Sequence, residues 1–349
     1  MDNQELSRYS RNILLKEVGV AGQKKLLAAK VLMIGAGGLG CPALQYLAAA
    51  GIGQIGIIDF DVVDQSNLQR QTLFTIEDIG KNKALCAKNR LELLNPDIEI
   101  KAYSFRLDTS NALDLFDQYD IVVDGTDNFS YRYLINDAAS IKNKPLVYGA
   151  VNQFEGQVSV FNYNNGPTYR CLYPTPPIPG SISSCSEAGV LGVLPGIIGT
   201  MQANEVIKLI LSLDGVLNGK VLVYNAMESE TYKMTIAKSL IKNISESDFV
   251  KMNYDLFCGI NSKNKSELND FIEKGYKIID LREEWEANDQ NDKHLQIPFS
   301  QLNDQLSTLK RNAKYVLFCE NGQRSKSAIQ FLKDEYKFTH LINYHELTS

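Results

Sequence analysis

The chain has 349 residues, 44% of them hydrophobic and 22% charged, with a formal net charge of −5. The length predicts two domains, and the mild acidic balance gives no bulk attraction to nucleic acid or to an anionic membrane surface. The opening MDNQELSRYSRN lacks the apolar segment of a signal peptide and no apolar run is long enough to cross a bilayer, so a cytoplasmic protein is expected.

Residues 5–30 read as one helix, with Leu6, Tyr9, Ile13 and Leu14 on one side and Arg8 and Arg11 exposed. Then comes VLMIGAGGLG, residues 31–40, in which apolar residues run into Gly35-x-Gly37-x-x-Gly40; CPALQYLAAA follows as helix and breaks at Gly51. This is a strand, a tight turn and a helix. The glycines fall where a backbone must turn sharply, approach phosphate oxygens and pack a helix on a sheet. An apolar strand over 55–59 ends on Asp59, about 20 residues beyond the glycines, where a carboxylate bonds ribose hydroxyls. The pattern predicts a nucleotide without saying which.

Residues 64–79 are polar and irregular, and 80–94 read as helix until Asn95-Pro96 stops it. Strands over 98–104, 120–124 and 145–151 alternate with helices over 111–119 and 131–141, which argues for a doubly wound parallel sheet. The pattern then changes. Residues 156–163, 219–225 and 231–236 alternate with period two, as half-buried antiparallel strands do. Between them, 164–186 is rich in Pro, Gly, Ser and Asn and reads as a long loop, neither helix nor central strand. Residues 194–213 return as helix. The polar stretch 239–266 holds the domain boundary, with 241–262 as linker. A smaller α/β unit follows, with helices over 266–274, 302–310 and 325–336 and strands over 277–281 and 315–318. The expected fold class is α/β: a Rossmann-like, doubly wound mixed sheet in domain 1–240, with a parallel nucleotide-binding half and an antiparallel half, plus a small α/β domain over 263–349.

Asn67, Arg70, Lys83 and Asp127 join Asp59 on segments that follow sheet strands, where open α/β folds bind their ligands. Arg and Lys stabilise the charge on a transferring phosphoryl group, and a carboxylate holds the metal that bridges phosphates. A nicotinamide dehydrogenase needs no such cations, and the chain shows no acid–base pair for hydride transfer. Nucleotide cleavage is therefore favoured over redox chemistry.

The six cysteines, at 41, 86, 171, 185, 258 and 319, show no paired spacing and read as reduced thiols. Cys41 and Cys86 sit at apolar positions of helices and are expected in the core. Cys185 lies at a loop–helix junction, where a thiol is readily activated as a nucleophile. Cys319, in FCENGQRS, follows an apolar strand directly and precedes Gly322, Arg324 and Ser325 at a helix start. Backbone N–H groups there would cradle a thiolate or persulfide. There is no C-x-x-C pair, and His294, His340 and His345 do not cluster with cysteines, so a metal-ligand set is not expected.

Taken together, Arg8-Tyr-Ser-Arg11, GAGGLG, DFDVVDQSNLQRQ, Gly80-x-x-Lys83, DGTDN and CSEAGVLG resemble the MoeB/ThiF family of ubiquitin-activating-type adenylyltransferases. The tail, with IIDLREEWE and CENGQRS, resembles a rhodanese homology domain, although it is short and ends at NYHELTS. The resemblance implies that Gly35, Gly37, Gly38 and Gly40 hold the triphosphate of ATP and Asp59 the ribose. Asn67, Arg70 and Lys83 would contact phosphates and Asp127 would coordinate Mg²⁺, with Asp61 and Asn128 completing the site. Arg11 would act on the neighbouring subunit's site in a homodimer. The implied partner is a ubiquitin-like sulfur carrier with a Gly-Gly C-terminus, adenylated and then converted to a thiocarboxylate. Cys319 would carry the persulfide, loaded by a donor such as a cysteine desulfurase, and Cys185 would form a thioester or resolve the intermediate. The family's zinc site uses two C-x-x-C pairs. Here the first survives only as Thr168-Tyr-Arg-Cys171 and the second is missing between Met234 and Met252, so no structural zinc is expected. A carrier of molybdopterin or of thiamine biosynthesis fits equally. A non-catalytic nucleotide-binding scaffold is the other alternative, though a scaffold needs no phosphate cations.

Overall fold

The computed structural model describes residues 1–177, 189–239, 244–258, 266–283, 294–319 and 322–344. The chain divides into two compact units, the first ending at Cys258 and the second taking in Gly259–Ser349.

The first unit opens with three short helices, α1 (Asn3–Arg8), α2 (Ser10–Ile13) and α3 (Gly19–Ala28). The single helix expected over 5–30 is therefore broken. Tyr9 is the reason: it leaves helical geometry and turns into the core, 2% exposed, where its hydroxyl accepts from Asn95 Nδ2 at 2.9 Å. Leu6 and Leu14 consequently face outwards.

Then come β1 (Lys30–Ile34), α4 (Gly40–Ala50), β2 (Gln54–Ile58), α5 (Lys83–Leu94), β3 (Glu99–Tyr103), α6 (Ala112–Asp117), β4 (Ile121–Asp124), α7 (Phe129–Ile141), β5 (Leu146–Asn152) and β6 (Glu155–Phe161). After α8 (Tyr169–Leu172) and a helix over Val193–Leu211, β7 (Lys220–Asn225) and β8 (Glu230–Thr235) close the sheet. The strand order is β3-β2-β1-β4-β5-β6-β7-β8, parallel through β5 and antiparallel from β6 onward. This is the doubly wound mixed sheet that the sequence predicts. In β1, Val31 and Met33 enter one core while Leu32 and Ile34 enter another. That alternation belongs to a sheet covered on both faces.

Three expectations here need correcting. The stretch over 164–186 does hold a helical turn, α8, because Thr168 and Cys171 cap each other and Tyr169 is buried; Pro167 precedes the turn and the next proline is Pro174. The strand expected over 231–236 is not half-buried, since β8 is exposed along its whole length as the edge strand. The polar residues expected as linker carry two short helices, Glu246–Lys251 and Tyr254–Phe257, whose Phe249 and Tyr254 are buried in the first unit's core.

The second unit is a parallel sheet of order β10-β9-β11-β12, from β9 (Lys277–Asp280), β10 (His294–Gln296), β11 (Tyr315–Phe318) and β12 (Leu341–Asn343). Helices run over Ser266–Glu273 and Gln323–Tyr336. Ile278 and Val316 pack into one core and Ile279, Leu281 and Leu317 into another. The helix expected over 302–310 is instead two 3₁₀ turns, Phe299–Gln301 and Leu306–Thr308. Leu302, Leu306 and Leu309 have helical spacing, but Thr308 Oγ1 bonds the Gln305 carbonyl at 2.6 Å and Tyr315 Oη accepts the Lys310 amide at 2.9 Å. Such local bonds compete with a helix.

Candidate active site

The carboxyl ends of β3, β2, β1 and β4 lie side by side along one sheet edge. The glycine turn follows β1. Gly35 stands at φ +90°, and a Cβ on Gly40 would fall 2.0 Å from the Gly35 carbonyl oxygen, so the turn closes only with glycine at both ends. A Cβ on Gly38 would lie 3.5 Å from Arg70 Cγ, which places the Arg70 stem against the turn. Gly37 is more open, with Gln71 Nε2 the nearest atom at 3.8 Å.

Asp59, just past β2, accepts from the Ala36 amide at 2.8 Å and the Asp61 amide at 2.9 Å. Burial pushes its carboxyl up, against the pull of those bonds and of Lys83. Lys83 begins α5 and its Nζ lies 3.2 Å from Asp61 Oδ2. Asn82, which the motif reading overlooks, bridges the carbonyls of Asp59 and Asp61 at 2.9 and 3.1 Å and caps α5 through the Leu85 amide. Its signal in the sequence was an amide directly before a helix. Asn67 accepts from the Asp64 amide at 3.2 Å within a 3₁₀ turn, and Arg70 Nη1 donates to the Ser66 carbonyl at 3.1 Å.

After β4, Asp124 is buried and its Oδ1 accepts from the Thr126 amide at 2.9 Å and hydroxyl at 2.7 Å. Burial pushes this carboxyl up too, with Arg132 pulling against it. Arg132 Nη2 reaches the Thr126 carbonyl at 3.3 Å, and Gln202 Nε2 reaches the Asp124 carbonyl at 2.7 Å. These three residues fix the turn that presents Asp127, and the motif reading passes over all of them. Asp127 itself is exposed. Asn128 caps α7 by accepting from the Ser130 amide and hydroxyl, both at 2.8 Å. An exposed carboxylate just past a parallel strand fits Mg²⁺, which binds through one or two carboxylates and substrate phosphates. Arg11 is exposed on α2, and no hydrogen bond or ion pair joins it to these residues.

In the second unit Cys319 is buried, and its Sγ accepts from the amides of Gly322 at 3.1 Å and Ser325 at 3.4 Å. Asn343 Nδ2 holds the Gly322 carbonyl at 3.0 Å. Cys185 lies outside the described residues. The other thiols differ. Burial pushes Cys41 up to about 12 and Cys258 up to about 11. At Cys171 burial works the same way, but hydrogen bonds from Ser239 and Thr168 outweigh it and bring the thiol down. Its neighbours are hydroxyls rather than thiolates or imidazoles, a donor set that does not fit zinc. Among the described residues no group of three or more His, Cys, Asp or Glu side chains could hold a metal ion, and no helix is long and apolar enough to cross a membrane.

A family model described as the ThiF family matches residues 9–242. A probable adenylyltransferase/sulfurtransferase MoeZ of Mycobacterium tuberculosis is 42% identical over 356 residues, covering 95% of this chain and 89% of that protein. A sulfur carrier protein adenylyltransferase of Thermus thermophilus is 46% identical over 265 residues, covering 74% and 98%. Among solved structures, E. coli MccB with ATP superposes with a TM-score of 0.59 at 25% identity, covering 67% of this chain and 72% of that one.

Proposed function

The chain belongs to the ThiF family, and on that premise we propose that it adenylates the C-terminal glycine of a ubiquitin-like sulfur carrier with ATP and then delivers sulfur to it. The observation that carries the reading is the convergence at one sheet edge of the glycine turn, the Asp59 carboxylate that braces it, and the cations Arg70 and Lys83. Relatives named adenylyltransferase/sulfurtransferase and sulfur carrier protein adenylyltransferase support it.

In this reading the turn amides and Gly35, Gly37, Gly38 and Gly40 bind the triphosphate while Asp59 and Asp61 orient the ribose. Asn67, Arg70 and Lys83 hold the phosphates in line, with Asn128 at the α7 cap beside them. Asp127 would hold Mg²⁺, which when bound neutralises phosphate charge. A carrier carboxylate oxygen attacks the α-phosphorus, the bond from that phosphorus to the bridging oxygen breaks, and pyrophosphate leaves. Arg11 would complete the site of a neighbouring subunit in a homodimer. We assign residues 1–240 to adenylation, 263–349 to a rhodanese-like domain and 241–262 to the connection between them, whose described residues 244–258 pack into the first unit, in a cytoplasmic protein.

The Cys319 persulfide, loaded by a cysteine desulfurase, then attacks the acyl carbonyl, and AMP leaves as that carbon–oxygen bond breaks. Cys185 thiolate attacks the inner sulfur, releasing the carrier thiocarboxylate and leaving a Cys185–Cys319 disulfide for a thiol reductant to open. The amides of Gly322 and Ser325 suit an anionic sulfur at Cys319.

Pyrophosphate exchange tests the first step. With ATP, Mg²⁺ and a Gly-Gly-ended carrier, labelled pyrophosphate enters ATP, and Asp127→Ala abolishes it. Absence of exchange with any carrier would leave the docking scaffold as the better reading.

A further inference from the structure

The family match stops at residue 242, yet the chain goes on to lay two more short helices against α7. They are firmly seated. Phe249 and Tyr254 are buried, Tyr254 Oη donates to Asp137 Oδ2 at 2.7 Å, and Thr109 Oγ1 donates to the Val250 carbonyl at 3.4 Å. Between these helices, the loop after β3 and the first turn of α7 lies a cleft of about 360 Å³ whose lining includes Arg106, Thr109, Ser130, Tyr131, Asn253 and Asp255. Arg106 links two of its walls. Its Nη2 is 3.0 Å from Asp255 Oδ2, and its guanidinium carbon is 5.6 Å from the centre of the Tyr131 ring. The Tyr131 hydroxyl is buried beside the Arg106 guanidinium, so the ring, the arginine and Asp255 form one connected wall of the cleft.

Sheet order says which part of a nucleotide reaches this cleft. Strands β1, β2 and β3 are neighbours in that order, and the Asp59 amide donates to the Tyr103 carbonyl at the end of β3 at 3.1 Å. With phosphates over the turn after β1 and ribose on Asp59 after β2, a base carried onward arrives at the loop after β3, where Arg106 stands. Burial pushes the Tyr131 phenol up, and Arg106 beside it pulls the other way.

We propose that Asp255 is a positioning residue for ATP: it holds Arg106 against Tyr131 and so shapes the nucleoside end of the cleft from outside the segment that the family shares. The inference rests on the reading of Asp59 and the glycine turn as an ATP site.

The test uses the full chain and titrates ATP directly by calorimetry, beside inorganic tripolyphosphate, which has no nucleoside. Asp255→Asn weakens ATP by about two- to fivefold, the range of a partly exposed ion pair, and raises KM for ATP in pyrophosphate exchange by the same factor. It leaves kcat and tripolyphosphate affinity as in wild type, and Asp255→Glu restores ATP binding. An unchanged ATP affinity in Asp255→Asn, or an equal loss for ATP and tripolyphosphate, overturns the proposal while leaving the ATP site in place. A wild-type chain that fails to bind ATP overturns both together.

Discussion

The Ala36 amide donates to Asp59 Oδ2 at 2.8 Å, so the carboxylate that follows β2 also holds the glycine turn that follows β1. In the proposed function one side chain thus sets the spacing between the turn that would hold phosphates and the carboxylate that would hold ribose. Asp59→Asn turns one carboxylate oxygen into a donor facing a backbone N–H, and it would lose the charge-assisted bond proposed to ribose. KM for ATP is expected to rise about tenfold to a hundredfold. Because burial raises the Asp59 carboxyl, wild-type KM should climb on acidification at a pH above the ordinary carboxylate range, and the variant should lose that limb. The stability linkage has the opposite direction. Folded Asp59 binds its proton more tightly than unfolded Asp59, so its stabilising contribution is complete below the ordinary carboxylate pKa and declines as pH rises through the raised value. KM measured against pH in the two proteins decides the matter.

Gly40→Ala places a methyl group 2.0 Å from the Gly35 carbonyl oxygen, a backbone atom that cannot swing aside. The loss is expected to be about 3 kcal/mol or more, or a failure to fold. Gly196→Ala is the companion experiment. That glycine lies inside the Val193–Leu211 helix with nothing within 4 Å of its Cβ position, so alanine should stabilise by about 0.5–1 kcal/mol. Urea denaturation of the two variants checks both signs at once.

The parts of this fold that could be read from the sequence are those fixed by local chemistry. VLMI before the glycines of GAGGLG reads as a buried strand entering a turn, and Asp59 directly follows the next strand. What escaped was decided by contacts between distant residues. The break at Tyr9 depends on Asn95, and the Asp127 turn is held by Arg132 and by Gln202 of a far helix. β10 and β12 have three residues each, too few for a period-two pattern to register. Arg11 was named from the family pattern alone, and no bond within the described residues links it to the sheet edge that carries Asp59 and Lys83.

Cys319→Ala should separate the two halves of the chemistry. Pyrophosphate exchange depends on the first unit and should persist at the wild-type rate, while thiocarboxylate formation stops. Mass spectrometry of the wild-type chain after incubation with a desulfurase should find the persulfide on Cys319, where the Gly322 and Ser325 amides already point at sulfur. Were thiocarboxylate still made by Cys319→Ala, sulfur would have to enter by another thiol, and Cys171, which hydrogen bonds bring down, would be the next to replace.

The first unit also contains a buried ion pair that makes a sharp stability prediction. Asp137, on α7, receives both Arg170 Nε and Nη2 at 2.7 Å, with Tyr254 Oη at 2.7 Å and Asn136 Nδ2 at 2.9 Å completing its shell. Arg170 lies 4.9 Å from the centre of the Tyr133 ring and 5.1 Å from that of Phe257. The hub therefore ties α7 to α8 and to the Tyr254–Phe257 helix. Arg170→Met leaves a carboxylate in the interior without its counter-charge and should cost about 3–5 kcal/mol. Removing both charges, as in Asp137→Leu with Arg170→Met, spares the desolvation of either ion and should recover most of that loss. A double-mutant cycle by urea denaturation measures the coupling. A cost below about 1 kcal/mol for Arg170→Met, the range of an exposed pair, would mean that water reaches Asp137 and that packing rather than charge holds the three elements together.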